Sequence, residues 1–97
     1  MKIYLDKELT KEVHDLEFGT VEAGTKKQFI FYVYNDSLGE LVDLVFSINS
    51  KEVKIISAPK QMNPKGISEL IIEYNPLVTI ETGLKADIII EGHTLFK

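Results

Sequence analysis

The residues of this chain that could do chemistry are few, and their spacing suits no common mechanism. There is no cysteine, so thiol nucleophiles and thiolate metal sites are excluded. The serines, Ser37, Ser47, Ser50, Ser57 and Ser68, fall in turns or alternating runs, and none occupies the Gly-x-Ser-x-Gly elbow that exposes a hydrolase nucleophile. His14 and His93 lie at opposite ends of the chain, and a triad needs nucleophile, base and orienting acid within hydrogen-bond reach. Glu12 and His14 share one face of an extended segment, with Asp6, Glu8, Asp15 and Glu17 nearby. Two or three ligands on a leader do not close a zinc or calcium site, so this stretch reads as a solvated acidic segment. Gly19-Thr20-Val21-Glu22-Ala23-Gly24 is bounded by glycines, yet no helix follows to present its N-terminus to a phosphate, and Glu22 repels an anion. The expectation is a protein with no catalytic residues, no metal and no cofactor.

One segment departs from its surroundings. Phe29-Ile30-Phe31-Tyr32-Val33-Tyr34 is apolar on both sides, whereas the neighbouring runs alternate apolar with polar. If Phe29, Phe31 and Val33 enter a core, then Ile30, Tyr32 and Tyr34 lie on the opposite face of the strand. Pairing with the run ending at Tyr74 adds Ile71 to that face. Ile30, Tyr32, Tyr34 and Ile71 are the candidate partner-binding residues, because tyrosine offers an interface a large apolar area with a polar tip. The competing expectation is that the amino-terminal segment, or the apolar stretch 77–82, folds over the same face.

The elements that must position this face are short strands. Val42, Leu44, Phe46 and Ile48 point one way with Asp43 and Ser47 between them; Val53 and Ile55 alternate with Glu52 and Lys54, Leu70, Ile72 and Tyr74 with Glu69 and Glu73, and Ala86, Ile88 and Ile90 with Lys85, Asp87 and Glu91. Gly19, Gly24, Gly39, Gly66, Gly83, Gly92, Pro59, Pro64 and Pro76 punctuate these runs. The pattern predicts strands at about 2–6, 16–22, 26–34, 42–48, 52–57, 67–74, 84–91 and a short one at 93–96. Two sheets meeting through their apolar faces give an all-β, immunoglobulin-like antiparallel sandwich of about seven strands, a single domain over 1–97. The stub after Gly92 leaves either a short edge or one that a neighbour completes by strand pairing.

Composition narrows the function classes. Hydrophobic residues make up 44% of the 97, which excludes a disordered chain. Eleven basic residues oppose fifteen acidic ones, for a net charge of −4. All the basic residues are lysines, and without arginine's planar fork a nucleic-acid partner is not expected. No apolar run approaches the roughly 20 residues of a membrane helix, and Met1-Lys2-Ile3-Tyr4-Leu5-Asp6 lacks the features of a signal peptide. With no cysteine to form disulfides, the expectation is a protein made in the cytoplasm.

The order of the pieces resembles a known family. Leu16-Glu17-Phe18-Gly19-Thr20-Val21-Glu22-Ala23-Gly24-Thr25 resembles the FGxVxxG opening of abnormal-spindle/hydin-type (ASH) domains, immunoglobulin-like modules related to the major-sperm-protein fold. A strand ending in asparagine matches Phe29 to Asn35, and a core strand matches Leu41 to Ile48. The family's P-G segment and its following strand match Asn63-Pro64-Lys65-Gly66 and Leu70 to Pro76, and Gly83 opens the last matching strand. The chain departs from the family in the apolar character of 77–82 and in its short final strand. The resemblance implies a non-enzymatic scaffold or interaction domain. The functional expectation is a subunit of a larger assembly that binds protein partners, with a homo-oligomer among the forms it admits. Small cysteine-free sandwiches of this kind look like accessory proteins of phage virions that decorate capsids or tails. The alternatives are a cytoskeletal or ciliary-type adaptor, which the ASH resemblance implies, and a carbohydrate-binding sandwich using Tyr32 and Tyr34.

Overall fold

A computed structural model describes residues 1–14, 16–18, 21–77, 85–86 and 88–95; of Glu17, Lys85 and Ala86 it describes the backbone only. The described chain forms strands and turns with no helix. The strands are β1 (Lys2–Tyr4), β2 (Glu12–Val13), β3 (Leu16–Glu17), β4 (Lys27–Tyr34), β5 (Glu40–Ile48), β6 (Val53–Ser57), β7 (Ile67–Tyr74), β8 (Lys85–Ala86) and β9 (Ile88–Leu95). All pairings are antiparallel. One sheet has the order β2-β1-β4-β7-β6; β5 pairs with β9, and β3 with β8. The order β1-β4-β7-β6 facing β5-β9 is that of an immunoglobulin-type sandwich, in which the second and fifth main strands, β4 and β7, are neighbours although β5 and β6 come between them in sequence.

Alternation explains the core. Ile3, Phe31, Val33, Val53, Leu70, Ile72 and Tyr74 of the larger sheet are buried against Leu44 of β5, with Leu41, Phe46, Ile48, Ile88 and Ile90 half-buried beside it. Phe18 packs on the inner face of the larger sheet, its ring centroid 5.1 Å from that of Phe29, 6.5 Å from Phe31 and 5.2 Å from Tyr74. The motif residues that carry the family resemblance are therefore packing and turn residues. Phe18 and Val21 are core, Gly24 takes φ +81°, and its amide donates to the Pro76 carbonyl at 3.0 Å.

Asn35 is the only buried polar side chain among the described residues, with no exposed area. Its Nδ2 donates to the carbonyls of Gly39 (2.9 Å) and Asn63 (3.0 Å), and its Oδ1 accepts from the Ser37 amide (3.0 Å) and hydroxyl (2.7 Å). The turn at 35–39 is thus pinned to the segment that precedes β7.

Two sequence expectations need correction. The break at Gly92 does not exist: β9 runs through it to Leu95, and there is no separate strand at 93–96. Gly92 is needed for packing across the sheet, since a Cβ there would meet Leu44 Cδ2 at 2.7 Å. The acidic leader faces solvent, with Glu8, Glu12 and His14 exposed, and is also tied into the fold. Asp6 accepts from the Thr10 and Lys11 amides and the Thr10 hydroxyl, closing the turn that brings β2 back onto β1. The strand expected at 16–22 is confined to β3 within the described residues. The apolar stretch 77–82 lies outside the described residues beyond Leu77, which is exposed.

Candidate functional site

The candidate face is the outer side of the five-stranded sheet, and its geometry follows from register. β4 pairs with β7 along its whole length, and this sets Ile30 directly opposite Ile71. Residues paired across an antiparallel sheet point to the same side, so the registers generate cross-strand rows. One row is Glu12, Tyr4, Tyr32 and Glu69; the next is Lys2, Tyr34 and Ile67; Ile30 and Ile71 form the third; Gln28, Glu73 and Lys54 form the last.

The four sequence-predicted residues are thereby brought together. Ile30 is 50% exposed, and Tyr32, Tyr34 and Ile71 are half-buried by their neighbours in the sheet. Two members were missed. Tyr4 stands beside Tyr32, and its ring meets that of Tyr34 edge-on at 6.5 Å; Ile67 stands opposite Tyr34 and is 47% exposed. The signal for Tyr4 was present in the alternation Lys2-Ile3-Tyr4, whose central residue is core. β1 extends this face beside β4, and β2 forms its edge.

Charge rims the patch. Glu12, Glu69 and Glu73 outnumber Lys2 and Lys54 in these rows, and Glu73 is 4.0 Å from Lys26. Elsewhere, titratable groups serve the fold. Hydrogen bonds, first that from the Thr10 hydroxyl, hold the Asp6 carboxyl below its usual range. The terminal amine, 3.0 Å from Asp36, does the same for that carboxyl. Burial, with Glu52 nearby, raises the Tyr74 hydroxyl.

Among the described residues, chemistry-bearing groups do not converge. His14 follows the end of β2 and His93 lies on β9, and both are exposed. Among the described residues no three histidine, aspartate or glutamate side chains come together as a metal site would require. A groove lined by Lys26, Lys51, Glu52, Lys54, Glu73, Asn75 and Leu77 mixes both charges at the sheet edge, with no buried polar group aimed into it. No protein-family model, curated protein or solved structure matches the chain.

Proposed function

We propose that this chain is a non-enzymatic interaction module, a subunit of a larger protein assembly that docks through the outer face centred on Ile30, Tyr32, Tyr34 and Ile71. The observation that carries the reading is the block of Tyr4, Tyr32, Tyr34, Ile30, Ile67 and Ile71 that the registers bring together across three adjacent strands, with Ile30 and Ile67 exposed. Contiguous apolar surface of this kind, rimmed by polar groups, is what protein interfaces use, and tyrosines are among their strongest contributors. The partner surface it fits has an apolar centre and basic groups at its edge, opposite Glu12 and Glu69.

The narrower reading, an accessory protein of a phage particle, rests on arginine-free, cysteine-free residue usage, and the ASH-type adaptor reading rests on the turn and strand motifs. Both are forms of the same docking module. A photo-crosslinking residue placed at Tyr32 in the native source tests the proposal. One discrete protein adduct is expected, with none from the same probe at exposed Lys60. Equal labelling at both positions, or none at Tyr32, contradicts it.

A further inference from the structure

The second sheet has two edges with different fates. The far edge of β5 is occupied: the Leu41 amide donates to Met62 O and the Met62 amide to Leu41 O, both at 2.8 Å, and the Leu44 amide donates to Lys60 O at 3.0 Å. The far edge of β9, where an immunoglobulin-type sandwich carries a third strand, pairs with nothing among the described residues. Beside it lies a groove of about 320 Å³ between the sheets, lined in part by Leu41, Leu44, Ile90 and Thr94. Soluble proteins blunt such edges with lysine, proline or brevity. This one is eight residues long, Ile88-Ile89-Ile90-Glu91-Gly92-His93-Thr94-Leu95, and contains neither lysine nor proline.

We propose that a second copy of this chain occupies that edge, with β9 pairing antiparallel to β9 about a two-fold axis at Gly92. The register is dictated twice. Leu41 spends its amide and carbonyl on Met62, so its β9 partner Thr94 also directs its own away from β5. Along a regular strand that direction alternates, so Thr94, Gly92, Ile90 and Ile88 present their backbone groups to the free edge. Only registers that pair these residues with one another can form the ladder.

Charge then selects among them. A two-fold at Glu91 sets two carboxylates face to face, which is destabilising. A two-fold at His93 sets two imidazoles together and leaves Glu91 opposite Leu95. The two-fold at Gly92 pairs Glu91 with the other copy's His93 twice, and Ile89 with the other copy's Leu95 twice. Ile89 and Leu95 are 52% and 50% exposed in the single chain, so this register covers the apolar side chains of β9's outer face. Ile90 pairs with Thr94 and Gly92 with its own copy, giving about six backbone hydrogen bonds. The result is one continuous sheet, β5-β9-β9-β5.

Sedimentation equilibrium over a concentration series is the test, with circular dichroism to verify folding. The wild-type chain is expected to show a concentration-dependent dimer. His93→Glu, an exposed change that sets like charges opposite, is expected to raise the dimer Kd about tenfold. Glu91→Lys combined with His93→Glu is expected to restore it. Thr94→Pro removes an edge donor that β5 does not use and is expected to leave a folded monomer. A wild-type chain that stays monomeric at about 0.1 mM overturns the inference and leaves the outer-face reading untouched. So does a dimer that survives His93→Glu and Thr94→Pro but dissociates with Tyr32→Lys.

Discussion

Replacing Asn35 by leucine tests whether a single buried amide holds the 35–39 turn to the strand entry at 62–66. The shape is nearly kept, so the cost is chiefly hydrogen bonding. The carbonyls it serves keep other donors: Gly39 O retains the Ser37 hydroxyl at 2.9 Å, Asn63 O the Gly66 amide at 3.0 Å, and Met62 O the Leu41 amide at 2.8 Å. The Ser37 amide loses the acceptor that Asn35 Oδ1 gives it. Two neutral hydrogen bonds at about 1 kcal/mol each, plus about 1 kcal/mol for a half-buried orphaned amide, total about 3 kcal/mol, offset by up to about 1 kcal/mol from apolar burial. A net loss of about 2 kcal/mol lowers the urea midpoint by about 2 M at the slope usual for a domain of this size. Asn35→Asp adds a pH signature. Burial among three carbonyls raises the carboxyl's folded-state pKa above its unfolded value of about 3.9. The protonated form can donate to one carbonyl, so the variant's deficit relative to wild type is smallest below about pH 4 and grows as pH rises through the folded value. An Asn35→Leu midpoint within about 0.5 M of wild type, or an Asn35→Asp deficit that does not change with pH, refutes this reasoning.

Other outcomes follow from the same geometry. Phe18→Ala, which empties the site between Phe29, Phe31 and Tyr74, is expected to cost about 3–5 kcal/mol by urea unfolding. Asp43 sits at φ +54° in the bulge of β5 that turns Leu44 inward, so Asp43→Val is expected to cost about 1–2 kcal/mol while Asp43→Gly is close to neutral. Asp6 and Asp36 have lowered folded-state values, so their stabilisation is present above about pH 4 and is lost as pH falls through those values. Unfolding midpoints measured from pH 5 to pH 2 are expected to fall less steeply for Asp6→Asn than for wild type. A broad hydrolase screen is expected to find no turnover that disappears in His14→Ala.

Much of the architecture was legible because period-2 alternation is a local signal. Leu70-Ile71-Ile72-Glu73-Tyr74 shows its buried face directly, and the two-sided run from Phe29 marked the outer side of β4 as unusual. What escaped depends on contacts distant in sequence. Gly92 reads as a turn from its neighbours, but its role is set by Leu44 reaching across from β5. The bulge at Asp43 carries no glycine to announce it; only the register shift between Val42 and Val45 reveals it. Tyr4 belongs to the candidate face because β1 pairs with β4, a neighbour relation that a three-residue strand scarcely encodes. The last strand was expected to be a stub after Gly92, yet β9 is eight residues long.

The docking proposal is tested most directly at Tyr32. Glutamate there sets a like charge opposite Glu69 and adds a folding cost of its own, whereas lysine faces Glu69 favourably and still breaks the apolar block. The measurement is co-sedimentation of wild-type, Tyr32→Lys and Lys60→Ala chains with the high-mass fraction of the native source, alongside their urea midpoints. Tyr32→Lys is expected to leave the high-mass fraction with its midpoint within about 0.5 M of wild type, while Lys60→Ala stays bound. A Tyr32→Lys chain that still sediments with the assembly, or that no longer folds, contradicts the assignment of this face to a partner.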